Sequence, residues 1–151
     1  MFKVAFIMNL LATPAIATGL QIEIVGEGAN GIITVDLFDD VAPNHVTHIA
    51  KLAAEGVYDN VVFHRVIDGF MAQTGDVQYG KADGDISRAG MGGSDRPDLV
   101  AEFSDTPYER GVVGMARSSD PNSANSQFFI MFAPGYFLNG KYTVVGQVTA
   151  G

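Results

Sequence analysis

Residues 63–76 read FHRVIDGFMAQTGD. Arg65 stands there among Val61, Val62, Phe63, Val66 and Ile67, and Phe70, Met71 and Gln73 follow shortly after. A guanidinium carries five N–H donors in a fixed plane and stays protonated. In an apolar stretch it either meets a carboxylate in a buried salt bridge, with Asp68, Asp76 or Glu102 at hand, or it donates to something bound. A second run, QFFIMFAPGYFLNGKY, places Gln127, Phe128, Phe129, Phe132, Phe137, Leu138 and Tyr142 within 16 residues. A strand buries one face of such a run easily and both faces with difficulty. Surplus aromatics beside a fixed cation therefore suit a shallow groove for an apolar ligand with one polar feature. Composition alone leaves the salt bridge and the groove both open.

Other chemistry finds less support. His45 and His48 are three apart on a helical pattern, a spacing that suits a metal only with a third ligand, and they are read as solvated surface. His64 is read as a structural histidine beside Arg65. GMGGSD is glycine-rich but lacks the lysine and following helix of a phosphate loop. No serine sits in a GxSxG elbow, and there is no paired-carboxylate framework for hydrolysis. The chain has no cysteine, which excludes disulfides, thiol nucleophiles and thiolate metal sites. Neither a cofactor nor a metal site is expected.

The elements that must position these residues are short. LQIEIVGEG and GIITVDLF are β-branched runs split by glycines and read as two strands. DDVAPNHVTHIAKLAAEG follows, with Asp39 and Asp40 as candidate caps, Pro43 in the first turn and Gly56 at the end. Val46, Ile49, Leu52 and Ala53 form one stripe, so this is an amphipathic helix. NVVFHRVID reads as a third strand, and Thr74 to Phe103 as a long ordered loop or one with a short strand inside. ERGVVGMAR, SQFFIMFA and KYTVVGQV read as further strands. Many short strands, one helix and no βαβ rhythm predict a mainly β domain that is closed or nearly closed.

The chain has 151 residues, 47% hydrophobic, which suits one domain with a real core. Nine basic against 17 acidic side chains give a net charge of −8, which argues against nucleic acid as a partner. The N-terminal stretch MFKVAFIMNLLATPAIATG has a basic start, an apolar centre and small residues at Ala15-Ile16-Ala17, the order of an export signal. Residues 1–17 are accordingly read as a signal peptide and residues 18–151 as the domain, with the periplasm as its destination and the cytoplasm as the alternative. The apolar stretch is far below the roughly 20 residues that span a bilayer, so no stable membrane insertion is expected.

Two long motifs, FHRVIDGFMAQTGD and GMARSSDPNSANSQFFI, together with LNGKYTVVGQV, resemble those of the cyclophilins, β-barrel peptidyl-prolyl cis/trans isomerases, of the bacterial kind. The likeness runs from about residue 20 to residue 149. It implies a closed antiparallel β-barrel with a flanking helix, and rotation about X–Pro bonds of unfolded or flexible polypeptides, by a monomer. By resemblance Arg65 matches the catalytic arginine. Phe70, Met71, Phe129 and Leu138 match walls of the proline pocket, and Gln73, Ala116 and Gln127 match groove residues. Three positions depart from the family pattern. Phe137 stands for a frequent tryptophan, which implies weakened cyclosporin binding with activity kept. Tyr142 stands for a histidine and still offers a flat ring. Arg117 stands for an asparagine that meets the ligand through its backbone, and its side chain is expected to alter substrate preference. Family members usually continue past the GQV-like strand with a helix and a last, barrel-closing strand, and by that comparison the chain is expected to be truncated. A module that grips proline segments without turnover, and a structural β domain with a buried salt bridge, are the alternatives.

Overall fold

The computed structural model describes residues 18–151, and the export-signal reading of residues 1–17 lies outside them. Seven strands form one antiparallel sheet: β1 (Thr18–Ile24), β2 (Gly31–Leu37), β3 (Arg65–Ile67), β4 (Met71–Thr74), β5 (Val112–Met115), β6 (Phe128–Met131) and β7 (Val144–Ala150). Their spatial order is β1-β2-β7-β5-β6-β4-β3. Irregularities at Thr34/Val35 in the β2–β7 ladder and at Val113/Gly114 in the β5–β7 ladder bend the sheet.

The barrel expected from the sequence is not closed. The sheet ends on β1 at one side and β3 at the other, and among the described residues these two strands share no ladder. The result is an open, curled half-barrel with a mainly β composition and one helix. The reason lies in residues 61–67, which the sequence suggests are one strand. Val61 bridges Lys81, and the Val62 N–H donates to the Gly80 carbonyl at 2.8 Å. That first half is thus committed to a loop, and only Arg65–Ile67 pairs as β3. A groove of about 780 Å³ is lined by β1, with Leu20 and Ile22, and by the segment before β3, with Val62 and Phe63.

Helix α1 (Pro43–Ala54) carries Pro43 in its first turn as expected. Its N-cap is Ala42, without a side-chain cap, and Asp39 instead accepts from Thr18. Gly56 ends the helix at φ +72°, where its N–H reaches the Ala53 carbonyl. The two helix histidines are not surface residues. His45 is fully buried and His48 nearly so. His45 Nδ1 lies 2.5 Å from Glu102, whose carboxylate also accepts the His45 and Asn44 N–H groups. A carboxylate from the long loop thus holds the start of the helix, which makes a polar side chain compatible with burial.

The core has two parts, one on each face of the sheet. Val46 and Ile49 of α1 pack with Val35, Leu37, Val113, Met115, Phe128, Ile130 and Val145 on one face. Met71, Tyr108, Val112, Phe129, Met131, Leu138 and Val144 pack on the other. Strand β6 is therefore buried on both faces, against the expectation of one. Phe128 and Ile130 point to the helix side, and Phe129 and Met131 to the other, as the period of two requires.

Candidate active site

The second core face opens at its edge into a pocket of about 220 Å³ lined by Arg65, Phe70, Met71, Gln73, Ala116, Arg117, Phe129, Leu138 and Tyr142. The strand registers explain how residues far apart in sequence arrive there. Arg65 pairs with Gln73 across β3–β4, Gln73 with Phe129 across β4–β6, and Phe129 with Gly114 across β6–β5. Directly paired residues project to the same face of a sheet. One row crossing four strands thus sets a guanidinium, an amide and an aromatic ring side by side.

Gly114 is needed in that row. A Cβ there would lie 2.5 Å from Tyr108 Oη and 2.6 Å from Phe129 Cζ. The space a side chain would fill is taken by two rings, Tyr108 and Phe129, stacked with centroids 5.7 Å apart. Phe129 in turn meets Tyr142 edge-on at 5.9 Å. The Tyr108 hydroxyl donates to the Tyr142 carbonyl at 2.9 Å. Burial pushes the Tyr108 phenol well above its usual range, so it stays a donor.

Arg65 itself is exposed, as are Val66 and Ile67 beside it. Among the described residues it makes no salt bridge, and the three candidate carboxylates serve elsewhere or stand apart. Glu102 holds the helix, and Asp76 is wholly buried on backbone donors. The structural-domain alternative, which required a buried pair at Arg65, therefore lacks its pair.

Gln127 does not line this pocket but ties it to a second one. Gln73 Nε2 donates to Gln127 Oε1 at 2.9 Å, and Gln127 Nε2 donates to the carbonyls of Gly90 at 3.0 Å and Gly92 at 2.7 Å. The adjoining pocket, about 230 Å³, runs along Gln73, Gly90, Met91, Gly92, Ala116, Arg117, Ser123 and Asn125. Phe137 stands on the rim, 64% exposed, with its ring 5.6 Å from that of Phe70. The sequence reading thus brought nine of its residues to one pocket, one to the neighbouring pocket and one to the edge.

Asp76 and Tyr108 were missed as parts of the site. Asp76 Oδ1 accepts the N–H groups of Gln78 and Tyr79, and Oδ2 those of Gly90 and Gly92. Burial raises the carboxyl pKa, but the four N–H bonds outweigh it and hold it below the ordinary value. Nearby His64 has its pKa lowered by burial, against a raising effect of Asp76 and with a further lowering by Arg65, which favours the neutral imidazole. The sequence offers Asp76 only as a partner for Arg65. Nothing in PYERG marks Tyr108 as a ring behind a pocket.

Comparison with known proteins follows the same residues. The model of the family "Cyclophilin type peptidyl-prolyl cis-trans isomerase/CLD" matches residues 20–151. A Brucella suis biovar 1 protein named "Probable peptidyl-prolyl cis-trans isomerase" is 61% identical over 124 residues, which cover 81% of this chain and 63% of that protein. The "Peptidyl-prolyl cis-trans isomerase-like 1" of Aspergillus fumigatus is 39% identical over 136 residues, 85% of this chain and 76% of its own length. A crystal structure of a cyclophilin type peptidyl-prolyl cis-trans isomerase from Cryptosporidium parvum, in the presence of the dipeptide Ala-Pro, superposes with a TM-score of 0.70 at 32% identity, covering 80% of this chain and 74% of that one. The chain thus spans a little under two thirds of the Brucella relative. No described helix is long and apolar enough to cross a membrane.

Proposed function

The chain belongs to the cyclophilin-type peptidyl-prolyl cis-trans isomerase family, and from that premise we propose that it catalyses rotation about X–Pro bonds in unfolded or flexible polypeptides. Arg65 is the catalytic residue of this reading. Phe70, Met71, Phe129, Leu138 and Tyr142 hold the proline ring, and Gln73, Ala116 and Gln127 flank the chain on either side of it. The observation that carries the reading is the row Arg65–Gln73–Phe129, which sets the guanidinium on the same sheet face as the aromatic floor of the pocket.

Rotation about an X–Pro bond is slow because amide resonance sets a barrier of about 18–20 kcal/mol. No covalent bond needs to form or break. The twisted amide returns a lone pair to the prolyl nitrogen, and an N–H of Arg65 aimed at that nitrogen binds it more strongly than the planar amide. That difference in binding lowers the barrier, with each 1.36 kcal/mol worth about tenfold in rate. The apolar walls fix the ring while the residue before it turns. An exposed Arg65 suits this role, since it needs no buried partner and the incoming peptide supplies the apolar cover that strengthens its hydrogen bond.

The test is a prolyl isomerisation assay of wild type and Arg65→Ala, with circular dichroism to confirm the fold of both. Most of the activity disappears with the guanidinium while the spectrum is kept. Equal rates would remove Arg65 from the mechanism. The order of residues in MFKVAFIMNLLATPAIATG supports a further part of the proposal, export to the periplasm. Mass spectrometry of the protein recovered from a fractionated bacterial host checks it, and an intact Met1 on cytoplasmic protein would end it.

A further inference from the structure

Arg117 is the one charged side chain besides Arg65 that lines the pocket, where the sequence suggests that its side chain alters substrate preference. Its guanidinium is engaged otherwise. Nε and Nη2 both donate to the Lys141 carbonyl, at 3.0 and 2.6 Å, and Nη1 donates to the Ser118 carbonyl at 2.9 Å. Its Cζ lies 4.6 Å from the centre of the Tyr142 ring. The planar fork is thus closed on two carbonyls and capped by an aromatic face, a combination that a lysine cannot reproduce.

The residue that benefits is Tyr142. It has no strand to hold it, since it lies before β7 begins at Val144. Three contacts fix it instead: the Tyr108 hydroxyl on its carbonyl, the edge-on contact with Phe129, and Arg117 gripping the preceding carbonyl and the ring together. Building on the isomerase reading of this pocket, we propose that Arg117 is a positioning residue that clamps the Lys141–Tyr142 segment, so that the Tyr142 ring stands as a preformed wall of the proline pocket. Arg117 acts through Tyr142 and not by touching substrate. A preformed wall aids binding of planar and twisted amides alike, so its loss raises KM and leaves kcat nearly alone.

The experiment is a double-mutant cycle on the full chain, with a short peptide containing one Ala-Pro bond as substrate. Arg117→Ala is expected to raise KM about five- to tenfold, the scale of one ordinary hydrogen bond, with kcat within about twofold. Tyr142→Ala raises KM by at least as much, and R117A/Y142A equals Y142A alone, because a clamp has nothing left to hold. KM effects that multiply would show that Arg117 acts independently of Tyr142 and overturn the proposal. So would an unchanged KM in R117A, or a fall in kcat alone. If R117A does not fold, Arg117→Lys keeps the stem and charge, and it is expected to show the raised KM because one ammonium cannot reproduce the fork. Wild-type KM in R117K would overturn the clamp. An inactive wild type would refute the isomerase reading instead, and the two failures are therefore distinct.

Discussion

Arg65 and Gln73 face each other across the β3–β4 ladder, on a hairpin whose other strand is bonded to β6 and the core. Gln73 is anchored in turn by its bond to Gln127. The catalytic candidate is therefore exposed on a three-residue edge strand, yet it stands beside an amide that cannot drift. This arrangement separates the energetics of the site from those of the fold, because changes at Arg65 touch little that is buried.

Arg65→Lys tests the need for the fork and not merely the charge. A lysine keeps a cation at that position but presents a single, flexible ammonium. The expected result is a fall in kcat/KM of about 10- to 100-fold, with Arg65→Ala lower still. Stability should change by less than about 0.5 kcal/mol in either variant, as for other exposed positions, and a urea titration checks this. A variant with full activity would show that charge alone suffices.

Gly114→Ala probes the hole that admits the two stacked rings. The new methyl would collide with Tyr108, which is wholly buried, and with Phe129, which is nearly so. Overpacking of this kind costs about 1–3 kcal/mol, read from the midpoint of chemical unfolding. Because Phe129 is also the pocket floor, the KM for an Ala-Pro peptide should rise in the same variant. A stable G114A with normal KM would mean that the two rings move aside freely.

Much of this site was legible before the fold was known, for a physical reason. Phe70, Met71, Gln73, Phe129 and Leu138 sit in two long motifs whose residue types have a joint meaning, and strand periodicity placed β1, β2, β5, β6 and β7 correctly. Strand pairing was harder to read. Val61 and Val62 look like strand residues, but their partners are Lys81 and Gly80, contacts across a loop that no local pattern marks. That choice leaves β1 and β3 as edges and the barrel open. The burial of His45 was illegible for a similar cause. A polar side chain is buried when a distant partner satisfies it, and Glu102 is 57 residues from His45. Arg117 lines the pocket, but its hold on the Lys141 and Ser118 carbonyls has no mark in the sequence, because it depends on how the 139–143 loop returns.

Phe137→Trp concerns the rim. Phe137 is exposed and its ring rests near Phe70, so a larger ring fits there without disturbing the core. The resemblance to the family implies that a tryptophan N–H at this place strengthens cyclosporin binding. The variant should be inhibited at concentrations about tenfold lower than wild type, the scale of one hydrogen bond, while its uninhibited turnover is unchanged. Inhibition curves for the two proteins decide the matter, and superimposable curves would dismiss the rim as the cause.

Asp76→Asn tests whether the loop that faces Gln127 is held by charge. An asparagine keeps one acceptor oxygen for two of the four N–H groups and turns an NH₂ toward the other two. Two buried donors then lose their partner, at about 1–3 kcal/mol each, so D76N should be about 2–6 kcal/mol less stable at pH 7. The pH dependence follows from the direction of the shift. The folded pKa of Asp76 lies below its ordinary value of 3.8, so the ionised carboxylate's contribution is complete above that value. It is lost as the pH falls through the depressed folded pKa, where the native state too takes up the proton. The stability gap between wild type and D76N should therefore be constant from pH 7 to about pH 5 and narrow below pH 4. Urea unfolding of both proteins at a series of pH values measures it. A gap that stays the same down to pH 2 would show that the shape of the side chain, and not its charge, holds Gly90 and Gly92 against the pocket.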